Sequence, residues 1–257
     1  MSEIHPAAIV SPKAKLGENV QIGPYAVIEG HVTIGDNTII HPHAVVGGFT
    51  TIGESCEIFP GAAVGLRCQD LKYAGEKTYV EIGARTVIRE CVTVNSSTGE
   101  GSKTVVGEDC FLMAYSHVGH NCRLGNGVIM ANVASLGGHI LIEDKAVIGG
   151  LVGIHQFVHV GTLAMIGGMS KVNQDVPPYS LSDGVPCSVV DINAVRLRRQ
   201  GFPPETRRII RRAFKILFKS GLATSHAVEI VKSDLPQLPE IKHLLEFIAK
   251  SERGIGR

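Results

Sequence analysis

An apolar side chain recurs at every sixth position over the first two thirds of the chain. Along the register that runs from Ile4 to Val172, only Asp70, Glu76 and Glu100 are not apolar. A period of six fits neither the 3.6-residue repeat of an amphipathic helix nor the two-residue alternation of an ordinary strand. It is typical of hexapeptide repeats, in which three short strands and their corners make one triangular coil. The pattern therefore predicts a mainly β fold, a parallel β-helix whose sixth residues point inward.

The composition agrees with a narrow interior. The chain has 257 residues, with no Trp, 8 Phe, 5 Tyr and 30 Gly. The inside of such a coil has no room for most aromatic rings, and its corners need small residues or residues with positive φ. We therefore expect the glycine pairs at 149–150 and 167–168 to lie at corners.

Two polar segments, residues 70–78 and 95–103, interrupt the register. Loops that leave a rigid solenoid often build its binding face. The alternative, a tolerated surface insertion, stays open, chiefly for the second segment.

The register stops at residues 174–179, where two prolines follow one another and end the ladder of backbone hydrogen bonds. Apolar residues then recur with helical spacing after Pro203 and Pro204, and again after Pro239. The charge changes too: residues 1–190 carry 11 Lys and Arg against 17 Asp and Glu, a net −6, whereas residues 191–257 carry 14 against 7, a net +7. We predict two domains, a β-helix over residues 1–190 and a small α-helical C-terminal domain over residues 191–257.

The remaining composition excludes several classes of protein. The longest apolar stretch, residues 146–154, is far too short to cross a bilayer, and the N-terminus lacks the features of a secretory signal. The six cysteines form no C-x-x-C pair, which indicates reduced thiols. A net charge of +1 is too dilute to favour nucleic acid. We expect a cytoplasmic protein with no integral membrane segment and no nucleic-acid partner.

Three histidines fall near one edge of the predicted coil. His120 and His139 differ by one coil of three hexapeptides plus one residue, and His120 and His155 differ by two coils minus one. Together they span about 10 Å along the axis. His117 lies three residues before His120, about half a face away along the strand. Such a group can supply a general base, or it can bind a metal, and chance clustering is the third possibility. No motif for a covalent nucleophile is present, which favours direct transfer.

Six strings in the chain carry a more specific signal. They are QDLKYAGE at 69–76, SHVGH at 116–120, GGH at 137–139, HQF at 155–157, QDVPPY at 174–179 and LRRQGF at 197–202. In this order they resemble the UDP-N-acetylglucosamine O-acyltransferase family, hexapeptide-repeat enzymes that begin lipid A biosynthesis, and the resemblance covers the whole chain.

The resemblance implies a left-handed β-helix that assembles as a homotrimer with active sites between subunits. It also implies a reaction, the transfer of a 3-hydroxyacyl chain from acyl carrier protein to the 3-position of UDP-N-acetylglucosamine without a covalent intermediate. No cofactor and no metal are implied. The basic residues between 207 and 219 are candidates for docking the acidic carrier protein; a solvated helix face is the alternative.

The resemblance also assigns roles to individual residues. His120 matches the general base, and the backbone N–H of Gly138 matches the oxyanion donor. The positions that match substrate-binding residues are Asp70, Lys72, His117, His139, His155, Gln156, Asn193 and Arg199, the last two in the nucleotide-contacting region. Gly168 matches a position that helps to set acyl-chain length, and Met169 and Lys171 stand beside it as further members of this ruler.

Three departures from the family pattern leave the acceptor open. Asn121 stands where the family usually has Asp, Asn95 where relatives often have His, and Gln200 where the second residue of a basic pair is usual. One alternative is a 3-amino UDP-sugar as acceptor, which would give an amide. Two further alternatives concern the class of protein: a zinc enzyme of the hexapeptide carbonic anhydrase type, and a solenoid that only binds.

Overall fold

The computed structural model describes residues 2–256, which contain 28 β-strands and four α-helices. In chain order, the strands of the first half are β1 (Glu3–Ile4), β2 (Ile9–Val10), β3 (Lys15–Leu16), β4 (Gln21–Ile22), β5 (Val27–Ile28), β6 (Thr33–Ile34), β7 (Ile39–Ile40), β8 (Val45–Val46), β9 (Phe49–Ile52), β10 (Glu57–Ile58), β11 (Ala63–Leu66), β12 (Tyr79–Ile82), β13 (Val87–Ile88) and β14 (Thr93–Asn95). Most have two residues, the length that a hexapeptide leaves after its corner.

The remaining strands are β15 (Lys103–Val106), β16 (Phe111–Leu112), β17 (His117–Val118), β18 (Arg123–Leu124), β19 (Ile129–Met130), β20 (Ser135–Leu136), β21 (Leu141–Ile142), β22 (Val147–Ile148), β23 (Gly153–Ile154), β24 (His159–Val160), β25 (Met165–Ile166), β26 (Lys171–Val172), β27 (Ser180–Asp183) and β28 (Ser188–Ile192). The helices are α1 (Ala194–Arg199), α2 (Pro204–Lys219), α3 (Thr224–Asp234) and α4 (Pro239–Lys250).

Up to β26, each strand pairs in parallel with the strand three places further along the chain. At the end of the coil, β25 pairs in parallel with β27, and β27 pairs antiparallel with β28. Sheet A runs from β1 to β28, sheet B from β2 to β26 and sheet C from β3 to β24. Partner residues are one coil apart, as in Glu3 with Gln21, and the loops simply lengthen the step, as in Val64 with Val94. The predicted parallel β-helix is confirmed. Its left-handed sense remains a prediction from the resemblance.

The sixth residues fill the interior. Ile28, Ile58, Leu112, Met130 and Ile148 are at most 1% exposed, and with their equivalents they form one continuous core. Each buried aliphatic side chain contributes about 1.5–3 kcal/mol to folding before conformational entropy is counted. The repeat and the core are thus the same feature.

The corners differ from the sequence-based expectation. Their positive-φ positions are held mostly by residues other than glycine, among them Tyr115, Val133 and Leu151. Glycine instead recurs directly after the inward-facing residue, where coils stack most closely. A Cβ on Gly119, for example, would lie 2.6 Å from the carbonyl oxygen of Gly137 in the next coil. Close approach, rather than positive φ, explains these glycines.

The helices cap the end of the coil with a second apolar core. Ile210, Phe214 and Leu217 of α2 pack with Ile241 and Leu244 of α4 in this core. The helices predicted after Pro203–Pro204 and Pro239 are confirmed, whereas α1 and α3 were not predicted.

β28 crosses the predicted domain boundary at 190/191, and the two-domain division stays a proposal. Among residues 2–256, no helix is both long and apolar enough to cross a membrane.

Candidate active site

Both polar loops leave the coil at the corner between sheets B and C. The first connects β11 to β12, and the second connects β14 to β15. The next three coils place at this corner the residue pairs 120–121, 138–139 and 156–157. We call this edge, with its two loops, the histidine corner. The two loops and the predicted general base therefore share one side of the solenoid.

The imidazole of His120 is held by Asn121. The Nδ1 atom of His120 lies 2.9 Å from Oδ1 of Asn121. The same Oδ1 accepts the backbone N–H of Thr98 at 3.0 Å, and Nδ2 of Asn121 donates to the carbonyl oxygen of Thr98 at 3.0 Å. The backbone of Thr98 thus fixes which end of the amide is oxygen. Because an oxygen faces Nδ1, that nitrogen carries the proton, and Nε2 is left with a lone pair that can accept one.

Gly138 lies one coil beyond His120 and directly against its ring. A Cβ at this position would overlap the imidazole, closer than real side chains approach. The N–H of Gly138 donates to no acceptor within residues 2–256. A free, rigidly held N–H beside the base is the arrangement that can stabilise an oxyanion.

Two other histidines surround the base. The ring of His139 meets that of His120 edge to face, with centroids 5.1 Å apart. The Nδ1 atom of His117 lies 2.7 Å from the hydroxyl of Thr93. Burial, followed by the charge of His120, lowers the pKa of His117 and of His139. Both therefore favour the neutral form, which can donate and accept hydrogen bonds without competing for the proton.

The position of His155 on its coil differs from the one that residue counting predicted. It lies on the histidine corner, but it precedes the turn, is exposed, and its Nδ1 approaches the carbonyl oxygen of Gln156 at 3.2 Å. The ring that stacks on His139 is Phe157, with centroids 4.8 Å apart. Gln156 is exposed beside it. Counting residues per coil finds the corner but cannot distinguish the position before the turn, where His155 lies, from the two turn positions, where His120 and His139 lie.

The first loop brings Asp70 to the same site. Its charge is one of the influences on the pKa of His139, which it raises against the larger effect of burial. The Oδ1 atom of Asp70 accepts the backbone N–H of Lys72 at 2.9 Å, and the side chain of Lys72 is exposed. The predicted residues Asp70 and Lys72 are therefore available to a ligand that enters from solvent.

Asn193 and Arg199 lie on another face of the chain. They line a cavity of about 620 Å³ together with Ile129 and Val147 of sheet A, the sheet opposite the histidine corner. Asn193 is 8% exposed, caps α1 by accepting the N–H of Arg196 at 3.2 Å, and donates to the carbonyl oxygen of Leu163 at 3.0 Å. Its side chain is occupied by the fold, and within one chain neither residue joins His120.

The predicted ruler residues border one long face. In sheet B, His117 is followed in strand register by Ser135, Gly153 and Lys171. The adjoining corner between sheets A and B carries a column of exposed apolar residues: Tyr115, Val133, Leu151 and Met169. Gly168 lies at the same corner, and a Cβ on Gly153 would meet no atom within 4 Å. A strip of sheet B with small residues at its centre and an apolar edge therefore runs from His117 to Lys171.

Several basic side chains of α2, which the sequence offered as candidates for docking the carrier protein, already have partners within the chain. Arg208 pairs with Glu205, Arg211 with Asp191 at 3.4 Å, and Lys219 donates to the backbone of Val189.

Among residues 2–256, no group of three or more His, Cys, Asp or Glu side chains is arranged to hold a metal ion.

The fold and the comparisons with known families define the class of protein, the hexapeptide-repeat transferases. The family described as bacterial transferase hexapeptide (six repeats) matches residues 13–48 and 103–138, and the one described as Udp N-acetylglucosamine O-acyltransferase; Domain 2 matches residues 175–256. A relative from Thermodesulfovibrio yellowstonii is 49% identical and one from Alkalilimnicola ehrlichii is 50% identical, each covering 100% of both chains; both are named acyl-[acyl-carrier-protein]--UDP-N-acetylglucosamine O-acyltransferase. The chain belongs to this family.

Solved structures agree. A UDP-N-acetylglucosamine acyltransferase from Bacteroides fragilis superposes with a TM-score of 0.97 at 42% identity, covering 99% of this chain and 100% of that one. The enzyme from Campylobacter jejuni gives a TM-score of 0.93 at 39% identity, covering 99% of each chain. The similarity therefore extends over both the coil and the helices.

Proposed function

We propose that the protein transfers a 3-hydroxyacyl chain from acyl carrier protein to the 3-hydroxyl of UDP-N-acetylglucosamine, the first step of lipid A biosynthesis. Membership of the family at about half sequence identity over the full length supports the substrates. The single observation that supports the chemistry is the His120 imidazole, whose Nδ1 is held by Asn121 while Nε2 faces the backbone of Gly138.

The reaction follows from these groups. Nε2 of His120 takes the proton of the sugar hydroxyl as its oxygen attacks the thioester carbonyl. The carbonyl oxygen gains the negative charge, and the N–H of Gly138 donates to it. When the tetrahedral intermediate collapses, the C–S bond breaks, and the imidazolium of His120 returns the proton to the departing thiolate. The remaining members of the proposed substrate site are Asp70, Lys72, His117, His139, His155 and Gln156.

The complete site is proposed to form between subunits of a homotrimer in the cytoplasm. Arg199 and the cavity around Asn193 lie on the opposite side of the coil from His120, so a nucleotide that touches both needs two chains. The strip of sheet B that runs to Lys171, with Gly168 and Met169 on its edge, is proposed to hold the acyl chain.

Transfer between the two named substrates tests this proposal directly. Purified wild-type protein should form the acylated sugar nucleotide, and His120→Ala should lower the rate by about 10²–10⁴ because the general base is lost. His226→Ala, an exposed histidine of α3, is the matched control and should retain the rate. Activity with only a 3-amino acceptor would contradict the ester-forming assignment, and loss of activity on chelation would favour the zinc alternative.

A further inference from the structure

A carboxylate of the first loop at the histidine corner binds the second loop. Oε1 of Glu76, in the first loop, accepts the hydroxyl of Thr98 and the backbone N–H of Gly99, each at 2.8 Å, in the second loop. Its other oxygen accepts the N–H of Ala74 at 2.8 Å. These bonds, that from Gly99 foremost, lower the pKa of Glu76 to about 2. The carboxylate thus remains charged near neutral pH and has donors on both loops.

Thr98 connects Glu76 to Asn121, the residue that holds His120. Its side chain is bound by Glu76, while its backbone N–H and carbonyl bind the two ends of the Asn121 amide. The hydroxyl of Ser102 also donates to the Thr98 carbonyl, at 2.6 Å. The backbone position of this one residue therefore decides the orientation of Asn121, and that orientation decides which nitrogen of His120 carries the proton.

We infer that Glu76 and Thr98 are positioning residues for the acyl transfer, holding His120 through Asn121 with Nε2 free to accept the proton of the acceptor. The inference rests on the proposed function only for what the base does. Four hydrogen bonds between 2.8 and 3.0 Å link Glu76, Thr98, Asn121 and His120 in this order, and two of the four join Thr98 to Asn121. An asparagine suits this chain because Nδ2 can donate to the Thr98 carbonyl, which a carboxylate at position 121 could not do.

The substitution Thr98→Val tests this inference, since valine keeps the shape and removes the hydroxyl bound by Glu76. We expect kcat to fall about tenfold with KM changed less than about twofold, because the base is displaced while substrate contacts remain. Thr98→Ser restores the hydroxyl and should recover most of kcat. Glu100→Ala is the matched control: Glu100 also joins the loops, through the N–H of Lys77 at 3.0 Å, but does not contact Thr98, and kcat should be retained.

A spectroscopic readout separates this inference from the proposed function. ¹⁵N NMR of the histidines should show His120 of the wild type protonated at Nδ1 in its neutral form, and a mixture of the two tautomers in Thr98→Val and in Glu76→Ala. Unchanged tautomers, or an unchanged kcat in a folded Thr98→Val, would overturn the inference while leaving the proposed function intact. A wild type without acyl transfer but with the expected tautomers would overturn only the function.

Discussion

Each corner of the coil turns through two residues that have different conformations. The second residue adopts a left-handed φ, as in Asn121 at 59°, His139 at 59° and Phe157 at 65°. This conformation costs about 1–2 kcal/mol for a residue other than glycine. Because the two positions stack separately from coil to coil, His120 and Gly138 belong to one column and Asn121 and His139 to another. His120, the proposed base, is consequently the single imidazole in its column among residues 2–256, and Gly138 follows it in the next coil.

This stacking predicts a strong effect of one methyl group. Gly138→Ala places a Cβ where the His120 ring now lies. We expect the ring to move by about 1 Å and kcat to fall about 10²-fold, with little change in thermal stability because the ring can turn toward solvent. Steady-state kinetics and a melting curve of the purified variant measure both.

Gly30→Ala is the matched control. Gly30 holds the same corner position on the same edge, several coils toward the N-terminus, and its nearest neighbour would be the Ser11 hydroxyl at 3.2 Å. It should keep the wild-type kcat. Full activity in Gly138→Ala would show that the close contact between the two residues is not needed for catalysis.

At the scale of elements, the strand register decides what lies next to the base. β17, β20, β23 and β26 form one continuous strip of sheet B, so His117 and Lys171 face the same side although more than 50 residues separate them. Small residues, Ser135 and Gly153, lie between them. The strip is open along its length and ends at the exposed amine of Lys171.

We expect Lys171→Ala to move the donor preference to longer acyl chains. The lysine stem closes the end of the strip, and its removal lets further methylenes contact the apolar edge. Two additional buried methylenes are worth up to about 1.6 kcal/mol, or roughly 15-fold in kcat/KM. Rates with 3-hydroxyacyl carrier proteins of graded length measure the shift.

Lys15→Ala, which removes an exposed strand lysine of sheet C, controls for the loss of charge. It should leave the chain-length profile unchanged. An identical profile for Lys171→Ala would remove Lys171 from the ruler.

The elements show why the fold was easier to predict than the site. A period of six is a local property, and it specified the coil, the core and the shared edge of His120 and His139. The binding of Asn121 by Thr98 depends on the path of a loop with no repeat, which no spacing rule describes. Glu76 is an instructive case, since it was visible only as a residue that breaks the register. The helix cap made by Asn193 was likewise hidden until α1 was placed.

For the molecule as a whole, one carboxylate connects the coil to the helices. Glu143 approaches Nε2 of His159 in β24 and Nε2 of His243 in α4, each at 3.0 Å, and the hydroxyl of Tyr179 lies 3.1 Å from Nδ1 of His243. Burial alone would raise the pKa of Glu143, but its close contacts with the two histidines hold that pKa at about 2. The hydrogen bond with Glu143 raises the pKa of His243. The helices are therefore attached by a contact that depends on pH.

The sign of this dependence follows from the two shifts. Because the folded state raises the pKa of His243 above its ordinary 6.5, the stabilisation is complete below that pH and is lost as the pH rises through the folded value. The contribution of Glu143 is complete above its ordinary 4.5 and is lost as the pH falls toward 2. We therefore expect His243→Gln to lower the free energy of unfolding by about 1 kcal/mol at pH 6, a small value because solvent screens the partly exposed pair. The decrease should be smaller at pH 9, where more of the wild-type imidazole has lost its proton.

Urea unfolding of the wild type and the variant at both pH values measures this difference. His226→Gln in α3 is the control, because its exposed ring has no ionic partner within residues 2–256 and the substitution should cost the same at both pH values. A cost of His243→Gln that did not change between pH 6 and pH 9 would mean that the charge of His243 contributes nothing. The hydrogen bond between Tyr179 and His243, which does not require that charge, would then account for the cost of the substitution.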